Sequence, residues 1–271
     1  MGKYFKYAVG EILPVMIGML LAFIYLSFNS STKQEENVAV ALTSILQDES
    51  NSNTKWMNAI NNKDLDVLAS LYTQDVYGLS KKGIEFSSRD LLIDIVKKNE
   101  FTIKDVQTIS RVAASQTFDY EIGSFKNANN QLVKYISIWD KSQNMERRSL
   151  EFIAITDDSE VDLNEIDAQR AEWIKLCNAH NAKNLINKVY TKNTMYYNHR
   201  PMVVGRENLI PIYSYMNNPN YNLTLHPITV EAVSEIMVFE IGQCKGSYGG
   251  KYILIWQKTT EGWQVFFDAN I

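Results

Sequence analysis

The chain has 271 residues, enough for two domains of ordinary size. Hydrophobic residues make up 45% and charged residues 21%, a globular balance that excludes a mainly disordered chain. A formal net charge of -4 with no long basic run excludes an electrostatic nucleic-acid binder, and two cysteines are too few for a disulfide framework or a structural zinc site.

Residues 12–32 carry no charge, and 12–28 are almost wholly apolar. Roughly 20 such residues cross a bilayer core. Lys3 and Lys6 precede the run, so the N-terminus is expected in the cytoplasm and the remainder outside, in the periplasm of a Gram-negative cell. A cleaved signal peptide is the alternative. No small-x-small site follows the run and no lipobox cysteine is present, so a retained single-pass anchor over residues 8–28 is expected. The stretch "KYFKYAVGEILPVMIGMLLAF" resembles a membrane-entry segment at the start of Bacteroidota envelope proteins. Residues 33–47 read as a connector, with Val38, Leu42, Ile45 and Leu46 at helical spacing.

An internal repeat follows. "LYTQD" at 71–75 matches "VYTKN" at 189–193, and "SRDLLIDI" at 88–95 matches "GRENLIPI" at 205–212. "YEIGSF" at 120–125 matches "FEIGQC" at 239–244, and "KYISIWDKS" at 134–142 matches "KYILIWQKT" at 251–259. The offsets stay between 117 and 119 residues, a period that signals a duplicated domain. The expected division is an anchor at 1–32, the connector, a first domain at 48–157, an acidic linker at 158–164 and a second domain at 165–271.

Each half shows the same element order. A helix carries Trp56 or Trp173, and a second leads to Tyr72 or Tyr190. A brief hairpin precedes a third helix, beginning near Ser88 or Gly205; Pro211 predicts that the second of these is short or kinked. Four strands follow, in the second half near 222–232, 235–246, 250–259 and 262–269. In the third of them Ile253 and Ile255 alternate with Tyr252, Leu254 and Trp256. The expected class is α+β, two tandem cones of bent antiparallel sheet with three helices each, behind a transmembrane helix.

This order, with Tyr190, Gly205, Arg206, Glu207, Gly250, Lys251, Tyr252, Trp256, Lys258, Gly262, Trp263 and Asp268, resembles the NTF2-like superfamily. It is most similar to the SnoaL-like and DUF4440-type branch. The resemblance implies a sheet wrapped around a pocket and pairing through the open sheet face, here as an intramolecular pseudo-dimer of the two halves. Members range from isomerases and lyases to plain scaffolds, so the fold fixes little of the function.

The candidate ligand-binding residues are Tyr197, His199, Glu240, Trp256, Asp268 and Asn270. Asp268 and His199 are the candidate acid or base, because a carboxylate in an apolar cavity can have a raised pKa. Competing readings stand beside each. Trp256 suits a core position, Glu240 a structural ion pair, His199 a surface loop, and Asp268 with Asn270 a tie to the first helix of its half. Aligned by its ending, the first half has Leu150 in place of Trp263 and Ile155 in place of Asp268, which makes it a structural half or the binder of something more apolar. His180 and His226 lie outside metal-ligand spacings, so no metal or cofactor is expected. Cys177 and Cys244 are expected as buried free thiols, with a single bridge as the alternative. The expected function is binding of a small, largely apolar ligand, with or without weak acid/base chemistry. The alternative is a non-catalytic interaction or scaffolding module with filled pockets.

The anchor has a direct test. After lysis the full-length protein should sediment with membranes, and its C-terminal part should be cut by protease added to intact spheroplasts. Recovery of intact protein in the cytosol would exclude it.

Overall fold

The computed structural model describes residues 52–157, 159–198 and 201–271. The expected anchor and connector, residue 158, and His199 lie outside them. Among the described residues no helix is long and apolar enough to cross a membrane. Residues 52–271 form one compact unit.

In the first half, helix α1 (residues 52–61) and α2 (Leu65–Ser70) lead into a hairpin of β1 (Tyr72–Ser80) and β2 (Gly83–Phe86). Helix α3 (Arg89–Lys98) is followed by β3 (Lys104–Ala113), β4 (Phe118–Lys126), β5 (Leu132–Asp140) and β6 (Arg147–Ile155). The second half repeats this with α4 (Leu163–Asn178), α5 (Ala182–Val189), β7 (Tyr190–Tyr197), β8 (Val203–Val204) and α6 (Arg206–Ile212). Its last strands are β9 (Leu223–Ser234), β10 (Met237–Gly246), β11 (Lys251–Thr259) and β12 (Gly262–Ala269). The strand orders are β2-β1-β6-β5-β4-β3 and β8-β7-β12-β11-β10-β9. Two six-stranded sheets with helices fit the tandem α+β arrangement. One correction is needed: β1 with β6, and β7 with β12, pair in parallel, so both sheets are mixed.

Local chemistry sets the third helices apart. Ser88 caps α3 by accepting a hydrogen bond from the Leu91 amide. Gly205 holds the same place before α6 at a φ of +90°, a conformation that favours glycine. Pro211 lies inside α6, which ends one residue later and continues as a 3-10 turn over Tyr213–Asn217. That change of helix type carries Tyr213 and Met216 into the core.

Both faces of each sheet are apolar. One face packs under its own helices, with Trp56, Tyr72 and Tyr135 in the first half and Trp173, Tyr190 and Trp256 in the second. The other faces share a single buried cluster. Tyr120, Ile122, Ile138 and Phe152 enter it from the first sheet, and their repeat counterparts Phe239, Ile241, Ile255 and Ala269 from the second. The Phe152 ring stands edge-on to Phe239 and Phe266 at 5.7 and 6.1 Å. The Ser110 and Thr229 hydroxyls, also counterparts, lie 2.7 Å apart. Lys134 reaches Glu231 at 2.5 Å.

Because both sheets bury the same cluster, Phe152→Ala should weaken both halves at once. The expected cost is about 3–5 kcal/mol, with unfolding in denaturant still a single transition by tryptophan fluorescence. Two separated transitions would show that the halves fold independently.

Candidate functional site

The repeated "EIG" explains itself through one buried carboxylate in each half. Glu240 is fully buried and takes both hydrogen-bonding arms of Arg170 at 2.8 Å, the Tyr252 hydroxyl at 2.7 Å and the Trp256 indole at 2.8 Å. Glu121 takes Asn53, Thr108, Tyr135 and Trp139. The glycine two residues on leaves room for the tyrosine across the ladder. A Cβ at Gly242 would lie 2.1 Å from the Tyr252 ring, and one at Gly123 would lie 2.3 Å from Tyr135. Glu240 is thus saturated by structural partners, as buried charge requires.

A second carboxylate sits on the last strand of each half. In the second half Trp173 donates to Tyr190 at 2.9 Å, and Tyr190 donates to Asp268 at 2.8 Å. In the first half Trp56 donates to Tyr72 at 2.7 Å, and Tyr72 donates to Glu151 at 2.9 Å. Leu254 pairs with Asp268, and its counterpart Ser137 pairs with Glu151. The counterpart of Asp268 is therefore Glu151 rather than Ile155, and Leu150 answers to Phe267 rather than Trp263. The halves differ in what neutralises this acid. Arg148 donates to Glu151 at 3.0 Å and lies over the rings of Trp56, Tyr135 and Trp139. Val265 stands at the place of Arg148, and the second half's guanidinium comes from Arg170 and is spent on Glu240.

Asp268 lines a cavity of about 370 Å³. Tyr190 and Tyr213 both donate to its Oδ2, at 2.8 and 2.5 Å, so neither of these bonds uses Oδ1. Asn270 also lines the cavity and accepts from Tyr196 at 2.9 Å. Neither residue bonds to α4, so the tie expected there is replaced by ties to tyrosines. Asp268 is 4% exposed. Burial pushes its pKa up to about 6, against the pull of the two tyrosine donors. Burial pushes the Cys244 thiol in the wall up to about 12, so it stays neutral. Both cysteines are free and buried.

Three expected ligand contacts are corrected. Tyr197 lies in the cluster between the sheets, because alternation along β7 turns its neighbour Tyr196 to the cavity instead. Glu240 and Trp256 are fully buried behind the cavity wall and bonded to each other. The sequence reading missed Tyr213, whose placement depends on the α-helix giving way to a 3-10 turn after Ile212, and it missed the separate duties of Arg148 and Arg170. The first half is not a filled structural core either. A cavity of about 460 Å³ lies between its sheet and helices, lined by Ile60, Phe86, Leu92, Val96 and Phe125 among others.

No protein-family model matches the chain, and no curated protein does. Solved structures of similar fold include an NTF2-like protein of unknown function from Shewanella oneidensis, 14% identical with a TM-score of 0.35, the match covering 39% of this chain and 95% of that one. An NTF2-like protein from Cytophaga hutchinsonii is 12% identical with a TM-score of 0.35, over 42% of this chain and 97% of its own. A hexachlorocyclohexane dehydrochlorinase from Novosphingobium barchaimii is 14% identical with a TM-score of 0.35, over 45% and 91%.

The raised pKa of Asp268 fixes a pH dependence. Between pH 4 and 6 the folded protein keeps a proton that the unfolded chain has lost, so stability falls as pH rises through this window and is lowest above it. The loss is on the order of 3 kcal/mol at most. Asp268→Asn should flatten that segment of a melting profile and melt at or above the parent at pH 8. Identical profiles for the two proteins would contradict the assignment.

Proposed function

We propose that the second half binds a small, largely apolar ligand in the cavity over Asp268, and that Asp268 exchanges a proton or hydrogen bond with it. The observation that carries this reading is a buried carboxylate, facing an open cavity, whose partners are hydroxyls alone. Such a group can accept a proton near neutral pH, as an isomerase- or lyase-like reaction requires. The open volume in both halves speaks against a scaffold with filled pockets. The two halves act as an intramolecular pseudo-dimer, with Tyr120 of the first half accepting a hydrogen bond from the Ile271 amide at 2.9 Å, beside the wall residue Asn270. In this reading residues 8–28 hold both halves at the outer side of a membrane.

A neutral fluorescent donor, 2-naphthol, serves as the probe. It should bind saturably to the parent protein. Leu225→Trp, which fills the cavity at a wall position, should weaken binding more than tenfold at a folding cost of about 1–3 kcal/mol. Equal binding by a folded Leu225→Trp protein would place the ligand elsewhere.

A further inference from the structure

The two halves treat the acid on their last strand differently. In the first half the carboxylate of Glu151 is met by an organic cation from the chain itself, the Arg148 guanidinium, seated 4.0 Å over the Trp56 ring and 4.9 Å over Tyr135. In the second half Val265 replaces that arginine, and Arg170 is held by Glu240 and Asp167. Asp268 is then the only charged group among the described residues lining the cavity. The wall around it is aromatic. Six tyrosines line the same space: Tyr196, Tyr213, Tyr215, Tyr221, Tyr248 and Tyr252. Four of them pack edge to face in a row, Tyr196 on Tyr213 at 5.3 Å, Tyr213 on Tyr215 at 5.9 Å and Tyr215 on Tyr221 at 5.2 Å. Ring faces attract cations, and more strongly where water is excluded.

We infer that the cavity of the second half takes an organic cation, an amine or quaternary ammonium group carried on an apolar body. The cation sits against Asp268 and the tyrosines, in the role that Arg148 fills in the first half, and the apolar body lies along Leu223, Leu225 and Leu254. This rests on the ligand-binding reading above and names the charge of the ligand. Burial of the pair is favourable only because each charge meets an opposite one there.

The test compares two molecules of one shape, phenyltrimethylammonium and tert-butylbenzene, by calorimetry or by displacement of 2-naphthol at pH 7.5. The cation should bind at least tenfold more tightly. Asp268→Asn and Tyr215→Leu should each shrink that preference, and Tyr215→Phe should restore it. Tyr215 is 44% exposed, so its variants should fold. Equal or tighter binding of tert-butylbenzene by the parent protein overturns the inference and leaves the cavity reading intact. If neither molecule nor 2-naphthol binds, the cavity reading itself fails, and this inference with it.

Discussion

Each sheet of this protein has two apolar faces and, among the described residues, one set of helices to cover them. An uncovered face of this size would be a sticky surface in water. The chain solves this by turning the spare faces of its two halves toward one buried cluster, so that Phe152, Phe239 and Phe266 are all fully buried in a cluster whose buried residues all lie on strands. Strands facing apolar layers on both sides read as near-continuous hydrophobic runs, which is how "KYILIWQ" is built. Helix packing, cavity position and the placement of the last-strand acids all follow from this layering.

Within each half, polar groups are held by a second constraint. A buried charge must be matched, and the protein matches Glu121 and Glu240 with four or more donors apiece. Asp268 is the exception, since its two donors are both hydroxyls, whereas Arg111 stands 3.9 Å from Glu121 and Arg170 is bonded to Glu240. Departures of this kind from local rules mark where function is to be sought.

Much of this was legible in the sequence. The repeated "EIG" and "KY" pairs are glycine–tyrosine contacts across a ladder, and their spacing survived in both halves. Strand alternation in 251–259 sorted residues to the two faces as observed, with Tyr252, Leu254 and Trp256 under the helices and Ile253 and Ile255 in the shared cluster. The register of the last strand was not legible. In the second half Thr259 and Gly262 flank a tight turn, whereas in the first the strands separate at Asp140 and Arg147. Without the Gly-Trp landmark the ending slid by four residues, an even step that preserves the apolar alternation and so leaves no trace in the pattern. The parallel pairing of β1 with β6 was also hidden, because periodicity carries no strand direction. Tyr197 went wrong for the opposite reason: a slip of one residue exchanges cavity for interface.

Joining the halves in one chain changes what dilution can do to the molecule. A pair of separate subunits meets at a rate set by their concentration, whereas tethered partners see each other at an effective concentration in the mM range for short linkers. The cluster between the sheets therefore persists at any level of expression. Tethering also frees the two sides from mirroring one another. Tyr120 and Phe239 hold equivalent places, yet the first uses a hydroxyl to take the Ile271 amide while the second offers a bare ring to Phe152. In a symmetric pair one substitution appears on both sides, and that division of labour would be out of reach.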